Sequence, residues 1–245
     1  MTSPTYLILG ATGGMGQALC ERLSKRGASL LIGARDPARL EELSKRTGAE
    51  SLAGDARDPL AIDRAVACTV ERFGRIDGAV NLVGSLLLKP AHLTKTEEWD
   101  DVVATNLGSA FHLVRAAAQA MRAQSGSIVL VSSAAARTGL VNHEAIAAAK
   151  GGLEAMVRSA AATYAKRGLR INAVAPSLTE TRLAEPMLRS EAARAASEAM
   201  VPIGRIGQPE EVATTMAWLL EGAPDNLTGE VLHVDGGMGR VRAMG

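Results

Sequence analysis

The sequence has little cysteine, little aromatic character, no excess of one charge and no long apolar run, and each shortage narrows what the protein can be. Cys20 and Cys68 are the only cysteines in 245 residues, too few and too far apart for a disulfide framework or a metal site. A reducing, cytoplasmic setting is therefore expected. His92, His112, His143 and His233 are scattered without ligand spacing, so no metal centre is expected either. Lysine and arginine total 27 against 26 acidic residues, for a net charge of +1. That balance points away from nucleic acid and from a membrane surface as partners. The apolar runs are interrupted by Gly, Ser or charge, so no segment is expected to span a bilayer. MTSPTYLILGATGG has no basic stretch ahead of its apolar run, and no signal peptide is expected. Tyrosine occurs only as Tyr6 and Tyr164, so any chemistry that needs a phenol has two residues to draw on.

What is present is an alternation of short apolar strands with helices. TYLILG, SLLIGA, AESLAGD, IDGAVNLVG, SGSIVLVSS, LRINAVAPS and TGEVLHVDGG read as seven strands. Between them, MGQALCERLSKRG is an amphipathic helix closing at Gly27. DPARLEELSKRTG is a helix with Asp36 as N-cap and Pro37 at its first position. PLAIDRAVACTVERFG is a third helix. EEWDDVVATNLGSAFHLVRAAAQAMRAQ reads as one long helix, and EAIAAAKGGLEAMVRSAAATYAKRG as another. Continuous apolar strands alternating with long helices imply a parallel sheet covered on both faces, an α/β doubly wound fold in a single domain over residues 1–245. Residues 177–203, long and helical in propensity between two strands, are expected to form a lid over a substrate.

The segment Gly10-Ala-Thr12-Gly13-Gly14-Met15-Gly16 follows the first strand and opens the first helix. Residues without Cβ allow a tight turn whose backbone can approach a pyrophosphate, and the helix N-terminus offers free N–H groups to it. With a strand before it and a helix after it, this segment predicts dinucleotide binding. The second strand ends Gly33-Ala34-Arg35. An acid at that tip would select NAD through the ribose hydroxyls, whereas a guanidinium suits a 2′-phosphate. NADP(H) is therefore expected over NAD(H), with Asp36 reserved for capping.

Together these residues resemble the short-chain dehydrogenase/reductase family in its compact form, nearly end to end, and so imply a Rossmann-type domain with a seven-stranded parallel sheet. GATGGMG is similar to the family's Gly turn, although Leu9 stands where a threonine is usual. The resemblance implies that Asp55, with Ala56 beside it, contacts adenine. It places Asn81 and Gly84, in Asn-Leu-Val-Gly, beside the cofactor, and Asn106 at a kink of the long helix in the catalytic site. It makes Ser133 the substrate-orienting serine and Lys150 the active-site lysine. It sets Pro176, Thr179 and Thr181 along the nicotinamide amide, with Ser177 replacing a glycine. The implied reaction is hydride transfer between a nicotinamide and a carbonyl, or less readily an enoyl, carbon.

In SSAAARTGLVNHEAIAAAKGG the family's proton-donating tyrosine should stand four residues before Lys150, and Ile146 is there instead. Tyr6 lies in the first strand, and Tyr164 is about 20 Å along the helix from Lys150 at 1.5 Å per residue. His143 is seven residues, or two turns, before Lys150. Enoyl-acyl carrier protein reductases, a divergent branch, carry their tyrosine at that spacing. A histidine can exchange a proton near neutrality, although a neighbouring ammonium would weaken its basicity. His143, or a water held by Ser133 and Asn106, is the expected donor. The alternative is a catalytically silent NADP(H)-binding relative acting as sensor or subunit. Leu86, Leu87 and Leu88, with Leu183 and Met187 in the lid, suggest a small apolar substrate. The small residues of the two long helices, and the family's habit, suggest a homodimer or homotetramer.

Overall fold

In a computed structural model, the structure describes residues 3–241. Seven strands form one all-parallel sheet in the order β3-β2-β1-β4-β5-β6-β7. They are β1 (Thr5–Leu9), β2 (Ser29–Ala34), β3 (Glu50–Ala53), β4 (Gly78–Asn81), β5 (Gly126–Val131), β6 (Leu169–Pro176) and β7 (Val231–Val234). All seven strands expected from the sequence are present.

Successive β1 residues face opposite sides, as the two-residue strand period requires. Leu7 and Leu9 join the core shared with α3 (Pro59–Phe73), α5 (Ser109–Ala120) and α6 (Glu144–Tyr164). Tyr6 and Ile8 join the core on the other face, built with α1 (Gly14–Ser24), α2 (Pro37–Thr47) and α8 (Pro209–Glu221). The result is three layers. Fully burying a leucine such as Leu7 contributes roughly 2 kcal/mol, and such burial on both faces is what closes the sandwich.

Local signals place the helix ends. Asp36 accepts from the N–H groups of Ala38 and Arg39, and Asp58 does the same for Leu60. A proline then occupies the first helical position of both α2 and α3. Gly48 and Gly74 close these helices in the left-handed region at φ 71° and 75°.

Three features depart from the sequence reading. The long helix expected over 97–124 is α4 (Thr96–Val103), a π-helical turn (Ala104–Gly108) and α5, which stops at Ala120. The extra residue of a π turn is invisible to a 3.6-residue periodicity. Helix α8 goes unread in the sequence, although it begins with Pro209 and a Gln208–Glu211 capping box. Residues 177–203, helical in propensity, are helical only in part, with a 3-10 turn at Glu185–Met187 and the helix α7 (Glu191–Ala199).

The strand order reverses between β1 and β4, so their carboxyl ends diverge and leave a crevice. In a doubly wound sheet this is where a ligand enters. Among the described residues, no helix is long and apolar enough to cross a membrane.

Candidate active site and cofactor cleft

A cleft of about 560 Å³ opens at that crevice, within the range of small-ligand sites. Its floor is the Gly turn. Gly10 has φ 76°, and a Cβ there would stand 2.8 Å from the backbone carbon of Leu82. A Cβ on Gly16 would stand 2.6 Å from the carbonyl oxygen of Ala11. Neither position tolerates a side chain, and the turn lies against the chain leaving β4. Gly13 precedes α1 with no side-chain cap, so the first-turn N–H groups are left for an anion. This cradle fits the pyrophosphate of a dinucleotide. Thr12, Gly13, Gly14 and Met15 line the same wall.

At the tip of β2, Arg35 is exposed and lines the cleft beside Ala34. Asp36 is occupied as the α2 cap, so the acid nearest this tip is not free for a ribose. Arg39, unread in the sequence, joins Arg35. Its Nη2 donates to the carbonyl oxygen of Thr12 at 2.6 Å, which swings the guanidinium over the Gly turn. The bond links residues 27 positions apart; the only local signal was the placement of Arg39 in the first turn of α2.

Asp55 and Ala56 line the cleft after β3. Arg57 grips Asp55 through Nε at 3.0 Å and Nη2 at 2.7 Å, and reaches Asp101 at 2.6 Å. These side-chain hydrogen bonds hold the Asp55 carboxyl below its ordinary range. Gly84 also lines the cleft. Asn81 does not: it is buried, with Nδ2 donating to Ser109 Oγ at 2.9 Å and Oδ1 accepting from Val83 N–H at 2.9 Å. It braces the chain after β4 from behind.

Further in, Gly84, Asn106 and Lys150 converge. A Cβ on Gly84 would meet Asn106 Oδ1 at 3.1 Å and Lys150 Nζ at 3.8 Å. Asn106 sits in the π turn. Its Nδ2 donates to the Val102 carbonyl at 3.0 Å and to Ser85 Oγ at 3.1 Å, and its Oδ1 accepts from Ser85 N–H at 3.3 Å. Its amide hydrogens are thus engaged, leaving only oxygen capacity for a water. Lys150 is buried, and Nζ donates to the Val131 carbonyl at 2.7 Å. Burial pulls its pKa down from 10.5 to about 8, because a low-dielectric setting penalises the ammonium. The polar partner that a lysine in an apolar helix requires is therefore a strand-end carbonyl.

Ser133 follows β5 in extended backbone, and its Oγ accepts from Ala135 N–H at 3.2 Å. Ile146 is buried, one turn before Lys150 on α6. His143 occupies the N-cap position of α6 without a side-chain cap bond, and its Nδ1 lies 2.8 Å from the Val141 carbonyl oxygen. Nδ1 therefore carries the hydrogen of that contact, which leaves Nε2 as the outward nitrogen. Glu144, an acid in the first turn of α6, accepts from Ala91 N–H at 3.4 Å.

Pro176 ends β6. Thr179 donates to the Ser177 carbonyl at 3.0 Å and pairs with Gly207. Thr181, with Arg182 and Leu183, reaches the cleft wall, and its Cγ2 lies 3.0 Å from where a Gly14 Cβ would be. The start of the 177–203 segment thus folds over the Gly turn. Among the described residues no group of acidic, histidine or cysteine side chains is arranged to hold a metal.

Known proteins share this framework. Residues 10–239 match a family model described as "Enoyl-(Acyl carrier protein) reductase". The chain is 35% identical over 239 residues to the 3-oxoacyl-(acyl-carrier-protein) reductase FabG of Escherichia coli, covering 95% of this chain and 96% of that protein. It is 33% identical over 244 residues to a tropinone reductase homolog of Arabidopsis thaliana, covering 97% of this chain and 92% of that protein. A crystal structure of a variant actinorhodin polyketide ketoreductase with NADPH superposes with a TM-score of 0.92 at 31% identity, covering 98% of this chain and all of that one. A short-chain type dehydrogenase/reductase from Mycobacterium ulcerans gives 0.91 at 27% identity, covering 97% of this chain and 90% of that one. With the Gly cradle at the strand-order reversal and Lys150 behind it, these matches place the chain in the short-chain dehydrogenase/reductase family of NAD(P)-dependent oxidoreductases.

Proposed function

We propose that the protein is an NADP(H)-dependent reductase of a carbonyl substrate, most nearly a 3-oxoacyl or related ketone, with His143 as an atypical proton donor. The observation that carries the cofactor choice is the pair Arg35 and Arg39 at the tip of β2, where Ala34 stands in place of an acid. Two guanidinium groups there suit a 2′-phosphate through charge-assisted bonds. The names of two relatives, a 3-oxoacyl reductase and a ketoreductase seen with NADPH, support the substrate class.

When bound, NADPH supplies the hydride. The chain does the rest. Ser133 Oγ donates to the carbonyl oxygen and orients it. Lys150 presents its ammonium to the cofactor ribose from an apolar helix face. Gly84, Pro176, Thr179 and Thr181 form the nicotinamide end of the site, with Asn81 bracing the chain behind it, and Asp55 with Ala56 the adenine end. The developing alkoxide needs a proton, and Ile146 cannot give one. His143 Nε2, in the doubly protonated imidazole, delivers it directly or through a water that also touches Ser133 and Asn106. Leu183, exposed in the cleft wall, favours an apolar substrate under a lid at 177–203. We further expect a cytoplasmic homodimer or homotetramer without nucleic-acid or membrane partners.

The buried Ile146 favours the second reading, a silent NADP(H) sensor or subunit; turnover separates the two. NADPH oxidation should be followed with ketones, 3-oxoacyl thioesters and enoyl thioesters. The proposal expects saturable turnover of a carbonyl substrate, lowered about 100-fold in His143→Ala, the usual scale for a general acid, with NADPH affinity unchanged. Turnover unchanged in that variant removes His143 from the mechanism, and no turnover on any substrate supports the silent reading.

A further inference from the structure

Glu154 lies one turn beyond Lys150 on α6, buried to 3% exposure, and the proposed chemistry makes no use of it. A carboxylate in such a place is costly unless hydrogen bonds and a counter-charge compensate it. Here both oxygens have partners, and both partners belong to one short stretch of chain. Ser132 Oγ donates to Oε1 at 2.9 Å, and Arg137 Nε donates to Oε2 at 2.7 Å. Arg137 is itself half exposed, so the pair sits at the edge of the interior.

Residues 132–137 leave the end of β5 and carry Ser133. One turn back along the helix, Lys150 holds Val131 through its carbonyl. A single face of α6 therefore grips the strand end at 131, 132 and 137, on both sides of Ser133. Between those grips, Ser133 has the cap to Ala135 N–H and an extended backbone with φ −159°. Its direction follows from where its neighbours are fastened. A leucine at 154 would suit the adjacent apolar core of Leu153 and Val157, yet would release 132 and 137 together.

We propose that Glu154 is a positioning residue: by tethering Ser132 and Arg137 to the helix turn that follows Lys150, it fixes the Ser133 hydroxyl relative to the lysine. The inference rests on the reading of Ser133 as the group that orients the substrate oxygen. Glu154 touches neither substrate nor cofactor and acts only through its neighbours.

Four variants of the full-length protein test it: Glu154→Leu, Glu154→Gln, Ser133→Ala and the Ser133→Ala/Glu154→Leu double variant. Glu154→Leu is expected to lower kcat about tenfold or more with KM for NADPH within about twofold, whereas Glu154→Gln, which keeps an acceptor for Ser132, retains most of kcat. The double variant should be no slower than Ser133→Ala, because residues acting as one unit are not additive. Amide hydrogen exchange over 131–138, read without any turnover, should accelerate about tenfold in Glu154→Leu and little in Glu154→Gln. Unchanged exchange in Glu154→Leu, full kcat in that variant, or losses that simply add in the double variant would each overturn the inference. If Ser133→Ala itself keeps full kcat, the reading of the serine fails instead. The exchange result still decides whether the tether exists.

Discussion

The two ends of the cleft are built differently. At the end proposed to take adenosine the surface is mostly backbone: glycines with no room for a Cβ, an uncapped helix N-terminus, and two arginines, the exposed Arg35 just after β2 and the partly buried Arg39 on α2. At the reacting end the working groups are side chains projecting from buried positions. Lys150 and Asn106 are fastened to main-chain atoms of β5, α4 and the chain after β4, and Ile146 sits in the same interior. The first kind of surface cannot lose a glycine without moving backbone. The second accommodates Ile146 at no cost to packing, because isoleucine is at home on a buried helix face.

The largest expected effect lies at the backbone-built end. Gly16→Ala would put a Cβ 2.6 Å from the Ala11 carbonyl oxygen. NADPH affinity should fall by about 100-fold or more, together with about 1–3 kcal/mol of stability, read by calorimetric titration and urea unfolding. Wild-type affinity in this variant would show that the turn has slack that the geometry denies it.

Next come the arginines. Arg35→Ala and Arg39→Ala should each weaken NADPH binding by about tenfold, the scale of a charge-assisted bond of roughly 1.5 kcal/mol, and leave NADH binding unchanged. Equal losses for both cofactors would assign these residues to general anion attraction.

The smallest expected effect concerns stability at the reacting end. Burial lowers the Lys150 pKa from 10.5 to about 8. Between those values the unfolded chain holds a proton that the folded chain does not, so stability attributable to Lys150 rises with pH across that window. Below it, the buried ammonium is a constant cost. Lys150→Met should therefore be at least as stable as the parent at pH 7, by about 1 kcal/mol once the lost bond to Val131 is offset. It should also lack that rise with pH. Unfolding curves at neutral and alkaline pH check this. A clearly less stable variant would mean that the carbonyl bond outweighs burial.

Much of the fold could be read from local pattern. Asp36 and Asp58 before Pro37 and Pro59 announce helix starts, and unbroken runs such as Leu30-Leu31-Ile32 announce a buried parallel strand. The Gly turn was legible for the same reason, since glycine at tight spacing has few other uses. The π turn around Asn106 was legible only as the kink that the family resemblance implies, because one inserted residue leaves the apolar pattern of α4 and α5 almost intact. Helix α8 carries its start signals in Gln208, Pro209 and Glu211. Asn81 was expected in the cleft wall but turns inward to Ser109, a partner 28 residues away. Arg39 on Thr12, and Glu154 on Ser132 and Arg137, join segments that only the sheet order brings together. Such contacts leave no mark on spacing.

The central claim is that the Gly turn between β1 and α1 holds a dinucleotide and that the β2 tip prefers a 2′-phosphate. Titrating the purified protein in parallel with NADPH and NADH tests it most directly. Saturable binding of NADPH is expected, tighter than that of NADH by about tenfold or more. No saturable signal from either cofactor would contradict the dinucleotide site, and equal affinities would contradict the preference.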